Sequence, residues 1–487
     1  MSKTERSKRR LSLIGNGMAA CRLLDELTSR GAEQRFDITV YGDEPRGAYN
    51  RIQLGKVLGG APPDAITTKP PSWYADRGIT FRSGVAVKRL DTAKKLLETW
   101  EGETSRYDVA VLATGSVPTV PPLSGMTTAD GALLPGVFVY RTMDDCLRMR
   151  GHAHPGDSAI VLGGGLLGLE AAKVLSDAGL HVTVVHSSAT LMNAQLDPLA
   201  GEMLARQMEK MGIFFRLGRT IESVQGETQI SAVVLDDGRV LGADMLVLAC
   251  GVRPRVDVAR ASGLPLNRGV IVNDLLATEA SGVYALGECA EHRDRTYGIV
   301  APAWDQAVVL ADILSGVNPQ ARYRGSKIYT RLKVAGIEVA TMGNMQPELD
   351  DDDVIEVVEQ RKSNYRKLIV REGRLIGAML VGNTHAAAGL VQLFDRGDEL
   401  PEDPLEVLCS PAVGVAALAG ERQICNCHKV SEGQICDVIA AGANTVEAVA
   451  QACRATTGCG SCKPDVERLL SLKVKPVASV TPLAAAG

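Results

Sequence analysis

Apolar and polar positions in the early part of the chain fall into a pattern that is used twice. Leu11-Ser-Leu-Ile14 is a short apolar run suited to a buried strand. Gly17 to Arg30 then repeats apolar residues at helical spacing until Gly31 stops it, and Ile38 to Tyr41 reads as a second strand. The same order returns with a strand over Ala159 to Leu162, a helix over Leu166 to Ala178 stopped by Gly179, and a strand over His181 to Val185. A repeated strand–helix–strand unit predicts an α/β chain built on parallel sheets.

Between and after these units the pattern changes. Residues 118–136 are rich in Pro, Gly, Thr and Ser and read as a crossing linker, with a second transition near Gly251-Val-Arg-Pro254. From residue 322 the signals become those of a small α+β domain: strands over Ile337–Met342, Val354–Val358, Lys367–Val370 and Leu375–Val381, the last two joined by a turn at Glu372-Gly373. Asp350 to Asp353 reads as a solvated loop. Two short helices are expected at 432–443 and 446–455, and the Pro/Ala/Val tail from Lys473 is expected to be disordered.

Composition changes this picture little. The 487 residues are 45% hydrophobic and 23% charged, and a net charge of −4 gives no basic field for nucleic acid. The basic start from Lys3 to Arg10 lacks the apolar segment of a signal peptide, and no run approaches the ~18 apolar residues of a membrane helix. A cytoplasmic chain with no nucleic-acid or membrane role is the expectation.

Chemistry enters at the glycines. Gly15-Asn16-Gly17-Met18-Ala19-Ala20 follows the first strand as G-x-G-x-x-A, and Asp43 and Glu44 stand just past the end of the second strand. Such a turn brings a backbone close to a pyrophosphate at a helix N-terminus, and the acid accepts from ribose hydroxyls. Gly163-Gly-Gly165-Leu-Leu-Gly168 is a full G-x-G-x-x-G, but His186 stands at the expected acid position, followed by two serines. This second turn reads as an NAD(P)H site with the choice between NADH and NADPH left open.

The cysteines are uneven. Five of the eleven are scattered and read as small buried hydrophobes, whereas six fall between Cys425 and Cys462. Cys425-Asn-Cys427 and Cys459-Gly-Ser-Cys462, a C-x-C and a C-x-x-C separated by the two expected helices, offer four thiolates for [2Fe–2S] or zinc. Cys436 and Cys453 fall on the expected helices and read as buried thiols. No Cys-x4-Cys follows the first glycine helix.

Taken together, these motifs resemble the two-dinucleotide-binding-domain flavoproteins, and the 42–56 segment resembles their ferredoxin-reductase-like branch. Gly251 at the return crossover, and Tyr284-Ala-Leu-Gly287-Glu288, match that plan. The resemblance implies FAD on the first turn, contacted by Asn16, Met18, Ala19, Arg51, Val87, Ala113, Thr114, Gly115, Gly287 and Glu288. It further implies a catalytic Lys56–Glu170 pair beside the flavin and Trp304 as a candidate aromatic against it. The cysteine segment, with His428 and Thr457-Gly-Cys-Gly460, resembles bacterioferritin-associated-ferredoxin-like modules, which hold [2Fe–2S].

The implied fold has two Rossmann-like dinucleotide-binding domains, a small α+β domain and a small helical [2Fe–2S] module. Its divisions are FAD domain at 1–120 and 251–320, NAD(P)H domain at 121–250, small domain at 321–410, cluster module at 421–472 and tail at 473–487. This order resembles the N-terminal half of NAD(P)H-dependent nitrite reductase large subunits, here without a sirohaem-bearing part after residue 472. It implies an NAD(P)H-dependent electron-transfer component for a molybdenum-dependent assimilatory nitrate reductase catalytic subunit or a similar redox acceptor, and not nitrite reduction by this chain alone. A ferredoxin, monooxygenase or haem protein as acceptor, or a non-enzymatic iron- or redox-sensing role, are the alternatives.

Overall fold

A computed structural model describes residues 8–334, 336–409, 423–425, 428, 430–458, 460 and 462–473. The chain divides into two compact units. One runs to Ile328 and includes 334–337; the other holds 329–333 and everything from Glu338 onward.

The first unit carries two five-stranded sheets of the same plan. In the first, the strand Arg9–Ile14 lies between Phe36–Gly42 and Val109–Leu112, with Thr80–Ser83 and Val283–Ala285 outermost; every pairing is parallel. In the second, Ser158–Leu162 lies between His181–His186 and Met245–Leu248, with Phe214–Leu217 and Val137–Val139 outermost, again all parallel. Central strands such as Val109–Leu112 and Met245–Leu248 are buried at every residue, as a parallel sheet covered on both faces requires. The glycine-led helices Met18–Ser29 and Leu166–Asp177 agree closely with the spans that periodicity predicts.

Residues 118–136 are more than a linker. Met126 and Leu134 are buried in the second sheet's core. A Cβ on Gly125 would stand 2.1 Å from the Val224 carbonyl, so the segment lies directly against a neighbouring strand. At the two crossovers, Ser116–Pro118 pairs antiparallel with Val252–Pro254.

The second unit contains a five-stranded sheet in the order 329–334, 337–343, 374–381, 364–371, 353–359. The four strands expected from the sequence are present, and the Glu372-Gly373 turn has both residues at positive φ, +50° and +71°. Strand Tyr329–Val334 and helix Ala387–Arg396, whose Leu390 and Val391 join the sheet's core, were not foreseen. The Asp350–Asp353 run is not simply solvated: the Asp352 carboxylate accepts from Arg371 Nε at 2.6 Å and from two backbone amides, and Asp353 begins a strand. Further along, a short ribbon pairs Gln423–Cys425 with Val430–Ser431, ahead of helices Glu432–Ala440, Val446–Cys453 and Lys463–Lys473. The tail beyond Lys473 lies outside the described residues. No helix among the described residues is long and apolar enough to cross a membrane.

Candidate functional site

The first glycine turn is shaped by contacts that admit no side chain. Gly15 has φ +109°, and a Cβ there would stand 2.2 Å from the Ala113 carbonyl, so this position locks the turn against the Ala113–Gly115 segment. Gly17 has an ordinary extended backbone and nothing within 4 Å of where its Cβ would be. The helix it opens has no side-chain cap and no acid in its first turn. Its leading amides therefore have no side-chain cap and carry a partial positive charge, which is the environment an anionic pyrophosphate needs. Ala19 closes one wall, because a Cβ on Gly287 would approach its methyl at 2.9 Å. The Gly287 amide is fixed by Gln306 Oε1 at 2.7 Å. Asn16 accepts from the buried Tyr74 hydroxyl at 2.7 Å, and Met18 begins the helix.

Around this cradle stand three carboxylates, each with an arginine. Asp43 pairs with Arg255; burial works to raise its carboxyl, but the Arg255 hydrogen bond and charge prevail and hold it below the usual range. Glu44 pairs with Arg51 and accepts from the Tyr49 hydroxyl at 2.7 Å, while Arg51 also donates to the Arg141 carbonyl at 3.0 Å. Glu288 pairs with Arg141, and both bond Ser116 Oγ at 2.7 Å. Thr114 Oγ1 donates to the Arg255 carbonyl at 2.7 Å, Gly115 and Gly251 take positive φ at the crossovers, and Val87 is buried in the first sheet's core. Arg141 and Arg255 were missed from the sequence; the need to balance three clustered acids was the available signal.

The expected Lys56–Glu170 pair is not formed. Lys56 sits on the five-residue helix Leu54–Leu58, where its exposed Nζ donates to Gln53 Oε1 at 3.0 Å, one turn back. Glu170 is on the second glycine helix, and burial raises its carboxyl to about 7. The buried Tyr140 phenol is also pushed well up, by burial first and then by Cys146 and Glu170. No ion pair joins Lys56 and Glu170 among the described residues.

The second turn repeats the logic of the first. Gly163, at φ +128°, would place a Cβ 2.2 Å from the Ala249 carbonyl, and Gly168 would place one 2.1 Å from the Gly163 carbonyl. Gly165 is the open position, with nothing within 4 Å, at the start of an uncapped helix. His186 packs over Gly164, whose Cβ would be 2.6 Å from the ring. Burial lowers its pKa, and its Nε2 lies 3.2 Å from Asn193 Oδ1. An imidazole whose charged form is disfavoured by burial therefore occupies the place of the usual acid. Trp304 is buried in the helix Val300–Ser315, with the Arg22 guanidinium 5.7 Å from its ring centre.

In the cysteine segment, Cys425 and Cys462 are buried in one small apolar core with Ile435, Val449 and Val466. The Thr456 amide donates to Cys462 Sγ at 3.2 Å. Cys427 and Cys459 lie outside the described residues. Cys453 donates its thiol to the Val449 carbonyl of its own helix. A buried sulfur pair with an amide aimed at one sulfur suits thiolate ligation of an iron–sulfur cluster.

The sequence model of the pyridine nucleotide-disulphide oxidoreductases matches residues 9–307. The chain belongs to that family. This oxidoreductase also matches a rubredoxin NAD+ reductase C-terminal domain at 329–397 and a BFD-like [2Fe-2S] binding domain at 423–471. Its cofactors are accordingly FAD, NAD(P)H and a [2Fe–2S] cluster, which the two open glycine turns and the cysteine core fit. It is 37% identical to the nitrite reductase [NAD(P)H] of Bacillus subtilis, over 95% of this chain and 57% of that one. It is 36% identical to that organism's assimilatory nitrate reductase electron transfer subunit, over 95% and 59% respectively. The chain thus spans less than three-fifths of these relatives' lengths. Among solved structures, a covalent putidaredoxin reductase–putidaredoxin complex aligns with TM-score 0.74 at 22% identity, covering 85% of this chain and 99% of that one. That likeness bears on the fold. Cys21, on the first glycine helix, is a free thiol, buried and pushed up to about 12 by that burial.

Proposed function

We propose that this oxidoreductase carries electrons from NAD(P)H through FAD to its [2Fe–2S] cluster and on to the molybdenum-bearing catalytic subunit of an assimilatory nitrate reductase. The observation that carries the proposal is the coexistence of two open, uncapped glycine-led helix starts with a buried cysteine core in one chain. FAD, when bound, supplies the conversion between a two-electron nicotinamide donor and a one-electron cluster. The chain's part is positional. Gly15 and Gly17 admit the pyrophosphate, and the Asp43–Arg255, Glu44–Arg51 and Glu288–Arg141 pairs present fixed charge to the ribose and ribityl portions. Gly163, Gly165 and Gly168 admit the nicotinamide dinucleotide. By the family resemblance, Lys56 and Glu170 would be the pair beside the flavin, Lys56 exchanging its bond to Gln53 for one to Glu170. Cys425, Cys427, Cys459 and Cys462 ligate the cluster.

The division into a split FAD domain (1–120, 251–320), an inserted NAD(P)H domain (121–250), a small domain (321–410) and a cluster module (421–472) is part of this proposal. The antiparallel pairing of the two crossovers supports it. So is a cytoplasmic location. A second acceptor class has support of its own. A Pseudomonas putida protein named as the ferredoxin–NAD(+) reductase subunit of a benzene 1,2-dioxygenase system is 32% identical over 58% of this chain. Reconstitution of holoprotein with a nitrate reductase catalytic subunit, against a free ferredoxin, tests the choice. NAD(P)H-dependent nitrate reduction supports the first acceptor; ferredoxin reduction without it supports the second.

A further inference from the structure

The two cysteine pairs are well separated in sequence, yet the described residues beside them are joined directly. His428 follows Cys427, and Thr457 stands just before Gly458 and Cys459. Their side chains share a 2.8 Å hydrogen bond between Nε2 and Oγ1, across 29 positions of chain. Thr457 Oγ1 also donates to the Arg454 carbonyl at 2.8 Å. A hydroxyl has one proton to give, and it goes to Arg454, so the imidazole donates in the bond to Thr457. The result is a chain of bonds from His428 through Thr457 to Arg454.

Arg454 ends the helix Val446–Cys453 in the left-handed conformation, φ +63°, and Thr456 follows at φ +70°. Residues with side chains keep such a backbone only where their surroundings over-determine it. The product of this backbone is the Thr456 amide aimed at Cys462 Sγ at 3.2 Å. An amide bonded to a cluster sulfur draws electron density from it and favours the reduced, more negative cluster.

We propose that the His428–Thr457–Arg454 chain is a positioning clasp. It holds the two cysteine-bearing segments together before metal arrives, and it keeps the Thr456 amide on the Cys462 sulfur, raising the potential of the cluster received. The bond between Thr457 and Arg454 alone is local and would serve any helix end. The bond from His428 is not local, and it ties the segment of the first cysteine pair to that of the second. This inference rests on the assignment of the cluster to these cysteines; it is independent of which protein accepts the electrons.

The test uses full-length holoprotein with Thr457→Val, His428→Phe, both together, and Thr457→Ser. Three quantities are read: the rate of cluster bleaching in excess EDTA, the cluster midpoint potential, and FAD absorbance as a check on the rest of the chain. Thr457→Val and His428→Phe should each lose the cluster about ten-fold faster, the scale typical of groups that orient metal ligands. The double variant should be no faster than the singles, both potentials should move negative, and Thr457→Ser should behave as the parent. Unchanged lifetimes and potentials, or single effects that multiply in the double variant, would overturn the clasp. Should Thr457→Val take up no cluster, Thr457→Ser and His428→Phe decide: retention in the first with fast loss in the second supports the clasp, and equal behaviour refutes it. Zinc in place of iron would defeat the electron-transfer reading, while its release rates would still report on the clasp.

Discussion

Glu170 sits in an environment that keeps its carboxyl protonated far above the ordinary range. Its folded pKa is raised by burial from 4.5 to about 7. Between those values the folded chain keeps a proton that the unfolded chain releases, so stability falls as pH rises from 4.5 to 7 and stays reduced above. Glu170→Gln should therefore stabilise FAD-free protein at pH 8 by about 1–3 kcal/mol, with the gain gone by about pH 3.5. Urea unfolding at both pH values checks this, and an equal effect at each would contradict it. Arg141 offers a second test. Arg141→Met leaves the half-buried Glu288 carboxylate without its cation, and purified protein should hold FAD about ten-fold or more weakly, a loss of ~1.4 kcal/mol or greater. Flavin content after dialysis measures it. The residue scale is where the sequence was least legible. Arg141 lies 147 positions from Glu288 and Arg255 lies 212 from Asp43, so only folding brings these pairs together. In the structure described, Lys56 takes a partner one turn away, Gln53, which the sequence reading did not include.

At the scale of elements, the glycine turns were legible because the glycine spacing, the strand before it and the helix after it form one contiguous pattern, even though the carbonyls that Gly15 and Gly163 lie against, Ala113 and Ala249, are distant in sequence. Strand, turn and helix are contiguous in sequence, and the periodicity of each is its own signal. The 118–136 segment was misjudged because Pro and Gly mark turns without saying whether the turns are packed; Met126 and Leu134 decide that. The open glycines make a sharp prediction. Gly17→Ala and Gly165→Ala add a methyl that meets no protein atom within 4 Å, at ordinary backbone angles. Both variants should keep the parent's melting temperature. Gly17→Ala should lose FAD, whereas Gly165→Ala should keep FAD and raise KM for NAD(P)H by about ten-fold, the equivalent of ~1.4 kcal/mol of lost binding. Gly15→Ala and Gly163→Ala, by contrast, collide with carbonyls at 2.2 Å and should destabilise the fold. Thermal melts with paired dinucleotide titrations separate the two classes, and destabilised Gly17→Ala protein would contradict the open cradle.

At the scale of the whole molecule, the order of parts was legible from motifs, while the identity of the terminal acceptor is carried by none of them. The family is settled by residues 9–307 and the cluster type by 423–471. The acceptor is a property of a surface and a partner, and relatives of which this chain spans under three-fifths include enzymes of different outcome. On the proposed function, the chain moves electrons in one direction through two centres. Anaerobic mixing of holoprotein with NADH or NADPH, followed by absorbance and freeze-quenched EPR, tests that most directly. Flavin absorbance should fall first and the signal of reduced [2Fe–2S] should grow as it is reoxidised, while Cys462→Ser protein should show flavin reduction alone. A flavin that stays oxidised in intact holoprotein, or a cluster reduced without it, would contradict the account.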